Sequence, residues 1–187
     1  MEGGFEMSKR TDTKENILKA TAKIINEDGV FSLTLEAVAK VAGVSKGGLL
    51  YHFPSKEALL EGMVHYLLSG FSDDMEKTVA SDNAEKGKWT RAYTTLTFKQ
   101  EKDDIDMNTA FIAAVATKPE LLKPMSKQLQ SIHAHIENDN IDPIVATIIR
   151  LAVDGMYFNQ LYGLELKDST RKQVLQYLIS LTKEENQ

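Results

Sequence analysis

The chain has 187 residues, 42% hydrophobic and 26% charged, with four prolines and no cysteine; this is an ordinary globular composition with material for a sizeable core. Without cysteine, disulfides, thiolate metal sites and a cysteine nucleophile are excluded, and a reducing cytoplasmic location is consistent with that. The net charge of −5 argues against a coat for nucleic acid, yet residues 9–56 carry eight Lys/Arg against five Asp/Glu (+3) and the rest 14 against 22 (−8), a mildly basic end on an acidic body that suits one face offered to a polyanion.

The opening "MEGGFEMSKR" has acids and glycines where a secretory signal has a basic end and an apolar core. It reads as a loose tail, with Met7 as an alternative start. The longest apolar runs, "FIAAVA" and "IIRLAV", fall well below the ~18 residues of a spanning helix, so no membrane segment is expected. Apolar residues recur at three and four almost throughout, without a sustained period-two stretch, which predicts an all-α fold.

The first predicted helix covers residues 13–28, with Ile17, Ala20, Thr21, Ile24 and Ile25 on one face and Gly29 as a left-handed stop. Thr34 is placed to cap a second, short helix, with Leu33 and Val38 at staple positions and Glu36 at the positive end of the dipole. Gly43 ends it. Ser45 is placed to cap a third helix, residues 46–53, which Pro54 terminates, and Ser55 caps a long fourth helix with Leu60, Met63, Val64, Leu67, Phe71 and Met75 as its inner stripe. Two short helices joined by a glycine-containing turn make a helix-turn-helix. Beyond Ser81, loops are predicted at "SDNAEKGK" and "EKDDID", with helices near 88–100, 107–117, 120–138, 143–162 and 169–183, about nine in all. Asp142-Pro143 marks the start of the eighth and Gly163 its end.

The third helix carries the chemistry. On a helical wheel Leu49 and Phe53 fall together and inward, and Gly47, Gly48 and Tyr51 lie opposite. Each helical glycine costs ~1 kcal/mol against alanine, so a two-turn helix with such an outer face needs another reason for them. Close approach of backbone to a ligand is one. The Ser45 hydroxyl, Lys46 and the amides of Gly47 and Gly48 would face a phosphate, with Tyr51 and His52 reaching a base edge or the sugar–phosphate wall.

These residues also carry a resemblance. Thr34-Leu35, Val38-Ala39, Ala42-Gly43-Val44-Ser45-Lys46-Gly47, Tyr51-His52-Phe53 and Ser55-Lys56-Glu57-Ala58-Leu59 closely resemble the N-terminal signature of the tetracycline-repressor (TetR) family of transcriptional regulators, over roughly residues 13–63. The resemblance implies an all-helical homodimer: a helix-turn-helix DNA-binding domain over residues 9–56, and a helical effector-binding and dimerisation domain over 57–187 that pairs through its last two helices. It implies DNA contacts from Lys46, Gly47, Tyr51 and His52, with Thr34 and Lys56 clamping phosphates. Two positions depart from the commonest pattern, which has a small or polar residue at 48 and an aromatic at 50. Gly48 gives up a side chain that would read a base, and Leu50 offers only apolar contact, for example to a thymine methyl.

Elsewhere, the bland readings compete. Lys9, Arg10 and Lys14 are either a solvated tail or a groove-binding arm. His133 and His135 stand two apart, whereas a helical metal pair wants three or four, so no metal site is expected. "KDDID" lacks the glycine and distal glutamate of a calcium loop and reads as a solvated turn. No GxSxG, HExxH or GxxxxGK[ST] occurs, so neither an enzyme nor a cofactor is expected. Trp89, Tyr93, Phe111, Met125, Tyr157 and Phe158 either fill core or wall a small-molecule cavity. Asp154, in "LAVDGMYF", either bonds at a helix crossing beside Gly155 or faces that cavity. Ile144, Ile148, Leu151 and Leu161, with Val174, Leu175, Leu178, Ile179 and Leu181, make a broad apolar surface, which predicts a two-fold four-helix dimer. The expected partners are a double-stranded, roughly palindromic DNA operator, a small-molecule effector and a second copy of the chain. The rival reading is a helical small-molecule binding or interaction protein with a non-functional DNA-binding head.

Overall fold

The computed structural model describes residues 3–183, with side chains from Thr13 onward. Among these residues are nine α-helices and no strand: α1 Gly3–Asp28, α2 Leu35–Ala42, α3 Lys46–His52, α4 Lys56–Ser81, α5 Lys88–Phe98, α6 Lys102–Val115, α7 Leu122–Glu137, α8 Pro143–Leu161 and α9 Asp168–Leu181. The all-α prediction is borne out. The loose-tail reading is corrected, since α1 begins at Gly3 rather than near Thr13. The side chains of Met7, Lys9 and Arg10 lie outside those described. No described helix is long and apolar enough to cross a membrane.

The chain packs as two units, one of Met1–Leu68 with Lys102–Met125, the other of Ser69–Glu101 with Ser126–Gln187. In the first, the predicted α1 face is buried with Leu18, Val38, Leu49, Phe53, Leu59, Met63 and, from α6, Met107, Ala110, Phe111 and Ala114. The expected loop "EKDDID" is instead the first turn of α6. Asp103 and Asp104 sit at the positive end of its dipole, Asp103 Oδ2 accepts from Lys19 Nζ at 2.9 Å, and Asn26 Nδ2 donates to the Asp106 carbonyl at 2.8 Å. The Lys19 ammonium is held well above the ordinary lysine range, first by the bond to Asp103 and then by that to Glu15. A run that reads locally as a solvated turn is thus helical because the residues after it, Met107, Ala110, Phe111 and Ala114, are buried with the α1 face, and Lys19 adds a counter-charge at its start.

Gly29 stops α1, but with φ 82° and ψ 160°: not the left-handed helical well expected, but a mirror-extended conformation that only glycine visits readily. A single 3₁₀ turn, Val30–Ser32, follows. Another, Pro119–Leu121, stands where α7 was expected to begin.

Gly62 of α4 is a packing glycine. A Cβ there would stand 2.5 Å from Phe53 Cε1 and 3.3 Å from Leu18 Cδ2, and the Phe53 ring is buried. Gly62→Ala gains ~1 kcal/mol of helix propensity but overpacks a closed core. A net loss of about 1–2 kcal/mol is expected, measured by urea unfolding; unchanged or raised stability would mean that Phe53 has room to move.

The second unit buries Met75, Ala92, Tyr93, Phe98, Ile132, Ile136, Ala146, Ile149, Val153, Met156 and Leu178. Helix α8 has its predicted ends: Asp142 Oδ1 accepts from the Ile144 amide at 2.8 Å, and past Gly163 (φ 70°) the Leu164 amide returns to the Asn159 carbonyl at 2.8 Å, a Schellman closure. Helix α5 starts differently. Its cap, Gly87, has no side chain to offer and a left-handed φ of 73°; a Cβ would press on the Arg91 guanidinium at 2.8 Å and the Thr182 carbonyl at 3.1 Å. The free amide of Thr90 is satisfied from afar by Asp139 Oδ2 at 2.7 Å, which also accepts from the Thr90 hydroxyl at 2.8 Å.

Candidate nucleic-acid interface

The turn between α2 and α3 is closed by local chemistry. Thr34 Oγ1 accepts from the Ala37 amide at 3.1 Å. At the far end Gly43 takes the left-handed conformation (φ 66°, ψ 29°), and the amides of Gly43 and Val44 return to the carbonyls of Lys40 and Ala39 at 3.3 and 3.0 Å. Asn16 of α1 donates to the Ala42 carbonyl at 2.8 Å, so α2's last turn is tied to the core helix. Ser45 Oγ then accepts from the Gly48 amide at 3.0 Å and starts α3. All three predicted caps, Ser55 on Ala58 at 3.1 Å included, form as hydrogen bonds.

Helix α3 is anchored from behind by Leu49, fully buried, and Phe53, 3% exposed. Its other side is bare. Tyr51 is 65% and Leu50 37% exposed, Gly47 is exposed, and His52 is half-buried, with Tyr51 edge-on to it at 5.1 Å between centroids. A Cβ on Gly47 would meet nothing within 4 Å, while one on Gly48 would approach only the Ser45 hydroxyl, at 3.2 Å. Gly48 is therefore partly explained by the cap beneath it. For Gly47 no described residue stands close enough to exclude a side chain.

The structure also gives the lysines partners that sequence reading missed. Lys46 Nζ meets Glu36 Oε1 of α2's first turn at 2.6 Å, a bond that holds the Glu36 carboxyl below the usual range. Lys56 Nζ donates to the Val30 carbonyl at 2.9 Å, and Lys14 Nζ stands 5.8 Å from the centroid of the Phe53 ring. Nothing local in the sequence signals the Glu36–Lys46 pair, because ten residues and a turn separate the partners.

The seven residues proposed as cavity walls do not share one core. Phe111 and Met125 belong to the first unit's core. Tyr93, with Trp89 packed beside it, belongs to the second, as do Asp154, Tyr157 and Phe158 by position. There the Tyr93 hydroxyl donates to Asp154 Oδ1 at 2.5 Å, and Arg150 Nη1 donates to Asp154 Oδ2 at 3.3 Å. Burial first, and then the Asp154 charge, push the Tyr93 phenol far up; burial first, and then Arg150, lower the His133 imidazole. Arg150 Nε and Gln160 Oε1 are buried with no hydrogen-bond partner among the described residues. Arg150 escaped sequence reading although its spacing of four from Asp154 is a pairing signal. His133 and His135 diverge, the first edge-on to Tyr93 and the second stacked on Trp89 at 4.1 Å. Phe158 is half exposed.

On α8, Ile144, Ile148, Leu151 and Phe158, with Tyr162 just beyond, are exposed, four and three residues apart, with Gly155 in open space between them. On α9 the expectation is corrected in part. Val174, Leu175, Leu178 and Leu181 pack into the second unit's own core, and the large exposed apolar side chain is Tyr177. Leu161, on α8, is likewise partly buried.

A capped helix-turn-helix with a bare outer face, followed by helices alone, defines a class of helical DNA-binding regulatory folds. Residues 17–63 match the family described as "Bacterial regulatory proteins, tetR family", and residues 87–183 match "Tetracyclin repressor-like, C-terminal domain". The chain belongs to the tetracycline-repressor family. Among curated relatives it is 38% identical over 61 residues to the nucleoid occlusion factor SlmA of Vibrio campbellii, 32% of this chain and 31% of that protein. It is 44% identical over 55 residues to the regulator RutR of Escherichia coli K12, 29% of this chain and 26% of that protein. The matched segments thus span about a third or less of those relatives. The fold is similar to that of the multidrug binding protein EbrR, solved with malachite green, at a TM-score of 0.59 and 20% identity, covering 90% of this chain and 97% of that one.

Proposed function

We propose that this chain is a DNA-binding transcriptional regulator of the cytoplasm, a homodimeric repressor released from a palindromic operator by a small-molecule effector. The observation that carries the reading is α3 itself: Gly47, whose missing side chain nothing among the described residues requires, beside a Tyr51 that is 65% exposed. Residues 9–56 are the reading head in this proposal and 57–187 the effector-binding and dimerising body, of which 57–68 and 102–125 pack in one unit with the head. Thr34, Ser45, Lys46, Gly47, Gly48, Leu50, Tyr51, His52 and Lys56 face the duplex. The apolar stripe of α8 joins two copies, setting their reading helices about one DNA turn, ~34 Å, or a multiple of it apart. Tyr93, Asp154, Tyr157 and Arg150 offer the effector a polar grip within an apolar interior, and EbrR, with malachite green bound in a similar fold, supports that assignment. Effector and DNA then weaken each other's binding by the same factor.

The test is affinity for the DNA upstream of the chain's own gene, measured over a range of salt. Tyr51→Ala is expected to lower that affinity about tenfold or more with an unchanged melting temperature; an equal fall in both would return Tyr51 to a packing role. Binding without a steep salt slope, or unaffected by Lys46→Ala, would leave the head silent and favour a purely effector-binding or interaction protein.

A further inference from the structure

The Glu36–Lys46 pair sets a carboxylate among the groups that meet DNA in the reading above, on which this inference rests. Glu36 comes from the first turn of α2 and Lys46 from the first residue of α3, so the pair bridges the two helices of the motif. Its side chains are 64% and 60% exposed. An exposed pair of this kind contributes little to stability, which leaves its position as the feature to be explained. Next to a phosphate backbone a carboxylate repels, and a lysine already neutralised releases no counterion from DNA. The pair therefore subtracts from binding at any sequence that offers only phosphates. At a base pair of the right kind both partners find replacements in the major groove: guanine O6 and N7 accept from a lysine, and the cytosine N4 amino group donates to a carboxylate.

We propose that Glu36 is a specificity-determining residue: it holds Lys46 off the phosphate backbone of random DNA and yields it only where a G·C pair supplies an acceptor for Lys46 and a donor for Glu36. Tyr51 and Leu50 then read neighbouring positions, and the pair makes reading conditional on a G·C step.

The experiment uses the full chain, a random-sequence duplex, and the tightest duplexes that the unaltered protein selects from a random pool, each titrated between about 50 and 200 mM salt. Glu36→Gln is expected to bind the random duplex more tightly, with a salt slope steeper by about one unit, and to narrow the ratio between selected and random duplexes. The selected duplexes are expected to hold a G·C pair at one fixed position in each half-site whose replacement by A·T weakens the unaltered protein but not Glu36→Gln. Adding Lys46→Ala to Glu36→Gln should remove the extra slope. A slope unchanged by Glu36→Gln, a slope gain that survives Lys46→Ala, or selected duplexes without such a G·C position would each overturn the inference while leaving DNA binding intact. Failure of both the unaltered and Glu36→Gln proteins to bind any duplex would overturn the regulator reading as well.

Discussion

A Leu151→Glu chain is expected to run at half the mass of the unaltered protein on sedimentation, while melting at nearly the same temperature. Leu151 lies mid-stripe on α8, between Ile148 and Gly155, and is exposed within its own chain. Changing it there is a surface substitution, worth about 0.5 kcal/mol or less. In a two-fold dimer the same position faces the partner's copy of the same seam, so one substitution buries two carboxylates among Ile144, Ile148 and Phe158. Unpaired buried charge at an apolar seam costs about 3 kcal/mol or more, ~100-fold in the dimer dissociation constant. Affinity for a two-half-site duplex should fall with it, because each head then binds without the other's effective concentration. An unaltered mass would place dimerisation elsewhere, on α9 about Tyr177 or nowhere. Gly155→Ala offers an independent check: a Cβ there meets nothing within 4 Å among the described residues, so a weaker dimer from that change reports close approach by a second copy.

Asp139→Ala should cost about 3–5 kcal/mol, a large part of the total stability of an ordinary domain. The Asp139 side chain is buried and its Oδ2 accepts from both the amide and the hydroxyl of Thr90, itself 1% exposed. Removing the carboxylate strands two buried donors and uncaps α5, whose own cap residue is glycine. Asp139→Asn keeps an acceptor and should lose less. Urea unfolding measures the loss, and hydrogen exchange should place it first in the amides of α5. If Asp139→Ala lost no more than an average surface change, the buried bonds to Thr90 would not hold α5's start.

What could be read in the sequence was local. Thr34, Gly43, Ser45 and Pro54 each act on backbone within about five residues, so the caps and stops of the helix-turn-helix stand as predicted, and Leu49 and Phe53 face inward because period fixes them. What failed was tertiary. Asp103 and Asp104 look like a turn until the buried face of α6 is placed with α1 and Lys19 meets Asp103. Thr90 finds its cap 49 residues away. Phe111 and Met125 share their chemistry with Trp89 and Tyr93, yet pack in the other unit. Periodicity ranked Val174, Leu175, Leu178 and Leu181 as apolar surface without saying which body would cover it, and it was their own unit's core. Lys46 was legible as a cation at a helix start, but not as half of an ion pair.

Helix α6 closes the first unit from far along the chain: Met107, Ala110, Phe111 and Ala114 are buried with Ile17, Leu18 and Met63 in one cluster. The reading head is consequently not a cassette. A piece cut after Leu68 would leave a cleft along α1 where those four side chains belong, and grafting α1 to α4 onto a foreign body would demand a matching α6 from the host. A working graft would therefore have to carry α6, Lys102–Val115, along with α1 to α4, although more than thirty residues of chain separate its start from Leu68.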